Sequence, residues 1–68
     1  MKIVVKGGFR QLRMKRGFSI KSIAKEAGIA YRTAFRAETG ESVYPTTAGK
    51  ICATLGCEFD DVFQIEGN

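Results

Sequence analysis

One glycine constrains this chain more than any other residue. In the segment IKSIAKEAGIAYRTAFRAET, residues 20–39, Ile20, Ile23, Ala24 and Ala27 fall at i, i+3, i+4 and i+7, the spacing of one apolar helix face. Gly28 breaks that pattern, and a second helical run starts within two or three residues. The inward positions of this second run, Ala34 and Ala37, are small, and so is Ala24 opposite them. Two helices joined by a three- or four-residue turn containing Gly, with small side chains where they meet, describe a helix-turn-helix. The outer face of its second helix carries Tyr31, Arg32, Thr33 and Arg36, side chains able to read DNA bases.

Charge points the same way. Residues 1–36 hold ten Lys/Arg and one acid, Glu26, a net +9, whereas residues 37–68 hold Lys50 and six acids, a net −5. A basic half that includes the helix-turn-helix suits a face laid against phosphate, with the acidic half turned away. Sixty-eight residues are read as a single domain, 1–68, one that buries only about 60% of its unfolded surface and gains from dimerisation. No apolar run approaches the ~20 residues of a membrane span, and no apolar core follows the basic start as a secretory signal requires. A cytoplasmic protein without membrane contact is the expectation.

The same residues argue against catalysis and metal binding. The chain contains no His, and Cys52 and Cys57 lie five apart, too few ligands at the wrong spacing for zinc. Free, packed thiols are expected. Asp60 and Asp61 have no further carboxylate or His near them in sequence, so they are read as first-turn helix acids complementing the dipole. No enzyme activity, cofactor or metal is expected, and no small-molecule ligand.

Along the chain, residues 1–6 (MKIVVK) read as a short strand and residues 63–66 (FQIE) as its partner, the alternative being two frayed tails. Residues 9–16 form a first helix with Phe9 and Leu12 inward and Arg10, Lys15 and Arg16 outward, closed by Gly17. Ser19 caps the second helix through its hydroxyl. Ile29 plugs the core beneath the turn, and the third helix runs from residue 30 or 31 to 38. After a loop at residues 40–45, Thr46 is expected to cap a fourth helix with Ala48, Ile51, Cys52 and Leu55 inward, stopped by Gly56. A last short helix near residues 59–63 buries Phe59, Val62 and Phe63. The fold class is therefore all-α, five helices with a short two-stranded ribbon made from the termini.

Several of these residues carry a resemblance. Phe9-x-x-Leu12-Arg13, Gly17-Phe18-Ser19, Ile23-Ala24, Ala27-Gly28-Ile29, Thr33, Arg36, Glu38, Gly40, Pro45-Thr46 and Leu55-Gly56…Asp60-x-Val62-Phe63 resemble the Cro/phage-repressor (xenobiotic-response-element) type of helix-turn-helix domain. The similarity covers roughly residues 9–63 and implies a lambda-repressor-like fold with the third helix in the major groove. It implies base contacts from Ala30, Tyr31, Arg32 and Arg36, and phosphate contacts from Ser19 and Thr33. A guanidinium can bond guanine bidentately for roughly 1–3 kcal/mol of discrimination, and Tyr31 offers a ring to a thymine methyl and a hydroxyl to phosphate or base. Lys21, Lys6 and Arg10 add non-specific attraction. The resemblance also implies that Arg13 and Glu38 pair, tying the first helix to the end of the third. Residues 25–37, KEAGIAYRTAFRA, are in addition similar to the recognition helix of the lactose-repressor family, implying a shared style of recognition only.

Plainer readings stay beside these. Tyr31 is either a base reader or a half-buried cap on the helix pair; Arg36 either faces DNA or pairs with Glu41. Ile20 stands where the family often has a DNA-contacting Gln, so that contact is lost. Alanines at 34 and 37 replace larger aliphatics, and Phe35 stands where a small polar residue is usual. Phe35 either fills the space the alanines leave, the favoured reading, or shows an apolar face to DNA. The function expected is a dimeric, sequence-specific repressor of a phage, mobile element or small operon, binding a palindromic operator and dimerising through the last helix and terminal strands. The alternative is an antitoxin or adaptor module whose DNA binding is secondary.

Overall fold

Helix boundaries follow local chemistry closely in the structure, a computed structural model describing residues 1–67. The order is β1 (Lys2–Val5), α1 (Phe9–Lys15), α2 (Ile20–Ala27), α3 (Tyr31–Glu38), α4 (Pro45–Leu55), α5 (Phe59–Val62) and β2 (Phe63–Glu66). Ser19 starts α2 with a reciprocal cap. Its Oγ accepts from the Ser22 N–H at 3.0 Å, and the Ser22 Oγ accepts from the Ser19 N–H at 2.8 Å. Serine thus does at the third helical position what a Glu or Gln usually does.

Gly28 ends α2 in the left-handed region at φ 72°, where a side chain would be strained. This bend lets the Ile29 N–H donate back to the Ala24 carbonyl at 3.0 Å and the Gly28 N–H to the Lys25 carbonyl at 3.2 Å. Two carbonyls left over at the helix end are thereby satisfied. Ile29, half-buried, packs against the core directly after the bend.

The fourth helix starts differently from expectation. Tyr44, extended and without a side-chain cap, precedes Pro45 at the first helical position, so Thr46 lies inside the first turn and caps nothing. Proline has its φ already set for a helix and no N–H to satisfy, which moves the start two residues earlier. At the other end, α5 stops at Val62 and Phe63 opens β2. The Asp61 carboxylate accepts from the Glu58 N–H at 2.9 Å, a capping role for one of the two adjacent acids.

The terminal segments form an antiparallel ribbon in the register Lys2↔Glu66, Ile3↔Ile65, Val4↔Gln64 and Val5↔Phe63. Its other edge takes one bridge from the loop before α4: the Val43 N–H donates to the Ile3 carbonyl at 2.9 Å. β1 therefore lies between β2 and Val43, and this pins residues 41–44 close to the end of α3. Beneath lies the core, where Phe63, Ile23, Ile51 and Val62 are the largest fully buried side chains. The Phe63 ring sits 6.0 Å from that of Phe9 and 5.6 Å from that of Phe59, so β2, α1 and α5 share one aromatic cluster.

Both cysteines are free. Burial pushes the Cys52 thiol up to about 12, with further upward contributions from Cys57, Asp61 and Glu58. Burial also raises Cys57, partly offset by its hydrogen bond to Cys52. Both groups stay protonated at neutral pH and act as small apolar side chains.

Candidate nucleic-acid interface

The site is built on α3, and its geometry begins with two alanines. Ala34 and Ala37 are buried, as is Ala24 on α2, so the two helices meet through methyl groups. With that face sealed, the opposite face of α3 must stand outward, and it carries Tyr31, Arg32, Phe35 and Arg36. Only Gly28, Ile29 and Ala30 separate the helices, and Ala30 is itself exposed at the start of α3.

Tyr31 is 55% exposed, so it is not a half-buried cap on the helix pair. Phe35 corrects a sequence-based expectation. It is 47% exposed and does not fill space beside the alanines. Close approach of α2 leaves no such space, and a position next to Ala34 is turned about a quarter of the way round the helix. Its ring stacks instead on Tyr31, one turn earlier, with centroids 6.3 Å apart and planes at 16°. The Arg36 Nε lies 3.9 Å from the Glu41 Oε1, and both side chains are more than half exposed. A surface pair of that length is worth about 0–1 kcal/mol and leaves the guanidinium free to be recruited elsewhere.

Next to α3 the structure brings together residues that the sequence alone did not single out. Arg36 and Thr33 share a shallow cleft of about 180 Å³ with Ser42, Val43, Tyr44 and Thr47. In sequence the segment at 40–45 shows only turn chemistry. What folds it back beside α3 is the Val43–Ile3 bridge, a contact across forty residues that no local pattern announces.

The helix-turn-helix family model matches residues 9–62, four-fifths of the chain. The chain belongs to the helix-turn-helix family. It is a DNA-binding transcription regulator of the Cro/C1 type, and its five helices with a small antiparallel ribbon are the lambda-repressor-like fold. No curated protein and no solved structure matches it significantly.

Other candidate residues of this helix-turn-helix protein are spread more widely. Lys21 is exposed in the first turn of α2, beside Ser19, whose hydroxyl is engaged in the cap with Ser22. Lys6 and Arg10 instead line a cleft with Glu38 and Thr39, at the end of α3 opposite Tyr31. The Lys6 ammonium donates to the Asp60 carbonyl at 2.8 Å. These two cations are therefore not gathered with Arg32.

Arg13 and Glu38 brace the site from behind. The Arg13 Nε donates to Glu38 Oε1 at 2.6 Å, Nη2 to Oε2 at 3.1 Å and Nη1 to the Phe18 carbonyl at 2.6 Å. One guanidinium thus joins α1, the α1–α2 turn and the last turn of α3. Among the described residues no three His, Cys, Asp or Glu side chains gather to hold a metal, and no helix is long and apolar enough to cross a membrane.

Proposed function

We propose that this regulator is a dimeric, sequence-specific repressor of a phage, mobile element or small operon, with α3 entering the major groove of a palindromic operator. The observation that carries this reading is the sidedness of α3, whose alanine face is buried while its Tyr31–Arg32–Phe35–Arg36 face stands exposed. Arg32 and Arg36 take guanine O6 and N7, Ala30 and Tyr31 flank them, and Tyr31 with Arg32 works in the manner of a lactose-repressor recognition helix. Lys21, Thr33 and the backbone N–H groups behind Ser19 hold phosphates, while Lys6 and Arg10 contribute longer-range attraction. The span 1–68 acts as one binding unit.

Dimerisation is supported by the ribbon. β2 pairs with β1 on one edge only among the described residues, and Ile65 on it is 56% exposed next to the free end of β1. An open edge with an exposed aliphatic is a pairing surface unless something covers it. Selection of bound sites from random duplexes tests the whole reading. The expected product is a palindrome whose half-sites are centred about 34–36 Å apart, one turn of DNA. Enrichment of asymmetric sites, or of none, contradicts it.

A further inference from the structure

We propose that Phe35 is a specificity residue of this protein, reading the C5-methyl group of thymine from an aromatic ledge that it forms with Tyr31. The inference rests on α3 occupying the major groove and names what part of that groove the apolar side chains recognise.

Among the described residues six large apolar side chains are exposed, and two of them, Tyr31 and Phe35, stand one turn apart on the outer face of α3. At 100° per residue they form one row along the helix, and Arg32 with Arg36 forms the next row beside it. Arg32 stands nearly opposite the buried Ala34–Ala37 face, with Phe35 and Arg36 about 50° to either side of it, so a partner that Arg32 touches comes within reach of Phe35. The rings are stacked nearly parallel, 6.3 Å apart, so each ring limits the rotamers open to the other. A side chain already restricted loses less entropy on binding.

Charge says what the ledge meets. It is bordered by two guanidinium groups and lies in the basic half of the chain, with Glu41 the one acid paired with them among the described residues. A polyanion is admitted there and an acidic-poor apolar partner is not favoured. On the major-groove edges of the four bases the one apolar group of methyl size is the C5-methyl of thymine, cytosine having only a C5–H at that place. A phenyl ring has no hydrogen bond to offer, so facing a donor or acceptor it would strip water from that group without replacing it. Against a methyl it buries apolar area on both sides. The Phe35 ring therefore favours thymine at the base step it covers, independently of the arginine contacts to guanine.

Deoxyuridine tests this directly, because it removes the methyl and leaves base pairing intact. In the duplex enriched by selection, each thymine of both half-sites is replaced in turn and affinity is measured by fluorescence anisotropy at fixed salt. Wild type is expected to lose about three- to tenfold at one or two positions, the scale of one or two buried methyl groups. At one of those positions at least, the one Phe35 covers, Phe35→Ala is expected to bind the thymine and deoxyuridine duplexes equally, while Arg32→Ala still discriminates between them there. Unfolding midpoints of both variants report that the fold persists. Wild-type affinity unchanged at every deoxyuridine position, or Phe35→Ala discriminating as wild type does, overturns the inference. An enriched duplex that depends on Arg32 but ignores deoxyuridine overturns this inference alone; a selection that enriches nothing overturns the placement of α3 as well.

Discussion

Among the described residues Arg13 is the one charged side chain in the interior, 6% exposed, and its guanidinium nitrogens all have partners. Such a pair gains little over an apolar replacement, but breaking it from one side strands a buried charge at a cost of about 3–5 kcal/mol. Arg13→Ala and Glu38→Ala are each expected to lose that amount in urea unfolding, and the double variant clearly less than the two losses added. Additive losses would mean that the two side chains do not act as a unit. At this scale the sequence was informative where a residue's role depends on its own helix. Ser19, with its hydroxyl before an apolar run, reads as a cap and is one. Phe35 misled because the space beside it depends on how closely another helix approaches, which no property of Phe35 reveals. The bond from Arg13 to the Phe18 carbonyl was equally hidden, since it depends on the path of the turn after α1.

At the scale of elements, the α2–α3 unit depends on Ala24, Ala34 and Ala37 staying small. Ala37 has no exposed surface, so Ala37→Leu inserts three heavy atoms into filled space. It is expected to cost about 1–3 kcal/mol in urea unfolding. By pushing α3 off α2 it should also weaken DNA binding more than that stability loss explains at temperatures where the variant remains folded. Unchanged stability would show that the helices do not meet through that side chain. The helix pair, its Gly28 bend and the terminal ribbon were all legible, because periodicity, a left-handed glycine and alternating residues are local signals. Two features were not. Pro45 took the first position of α4 and left Thr46 with no cap to make, a choice between two adequate local starts. Val43 joined β1 through a contact that appears only once the chain has folded, and with it came the cleft of Ser42, Tyr44 and Thr47 beside Arg36.

At the scale of the whole chain the charge is divided along the sequence: the basic half holds α1, α2 and most of α3, and the acidic half holds α4, α5 and β2. That division orients the protein on a polyanion without specifying a sequence, so its signature is salt dependence. Lys21→Ala should weaken binding to all duplexes alike and lower the slope of log affinity against log salt by about 1. In the proposed reading specificity belongs to α3, and Arg32 is the residue on which that proposal turns. The most direct measurement is the ratio of affinities for the selected duplex and a scrambled one, in wild type and in Arg32→Ala, at one salt concentration. Removal of a bidentate guanine contact predicts that Arg32→Ala lowers this ratio by about 5- to 150-fold per half-site, with binding to the scrambled duplex nearly unchanged. A variant that keeps the wild-type ratio would contradict the account, because α3 would then not be the element that reads the DNA.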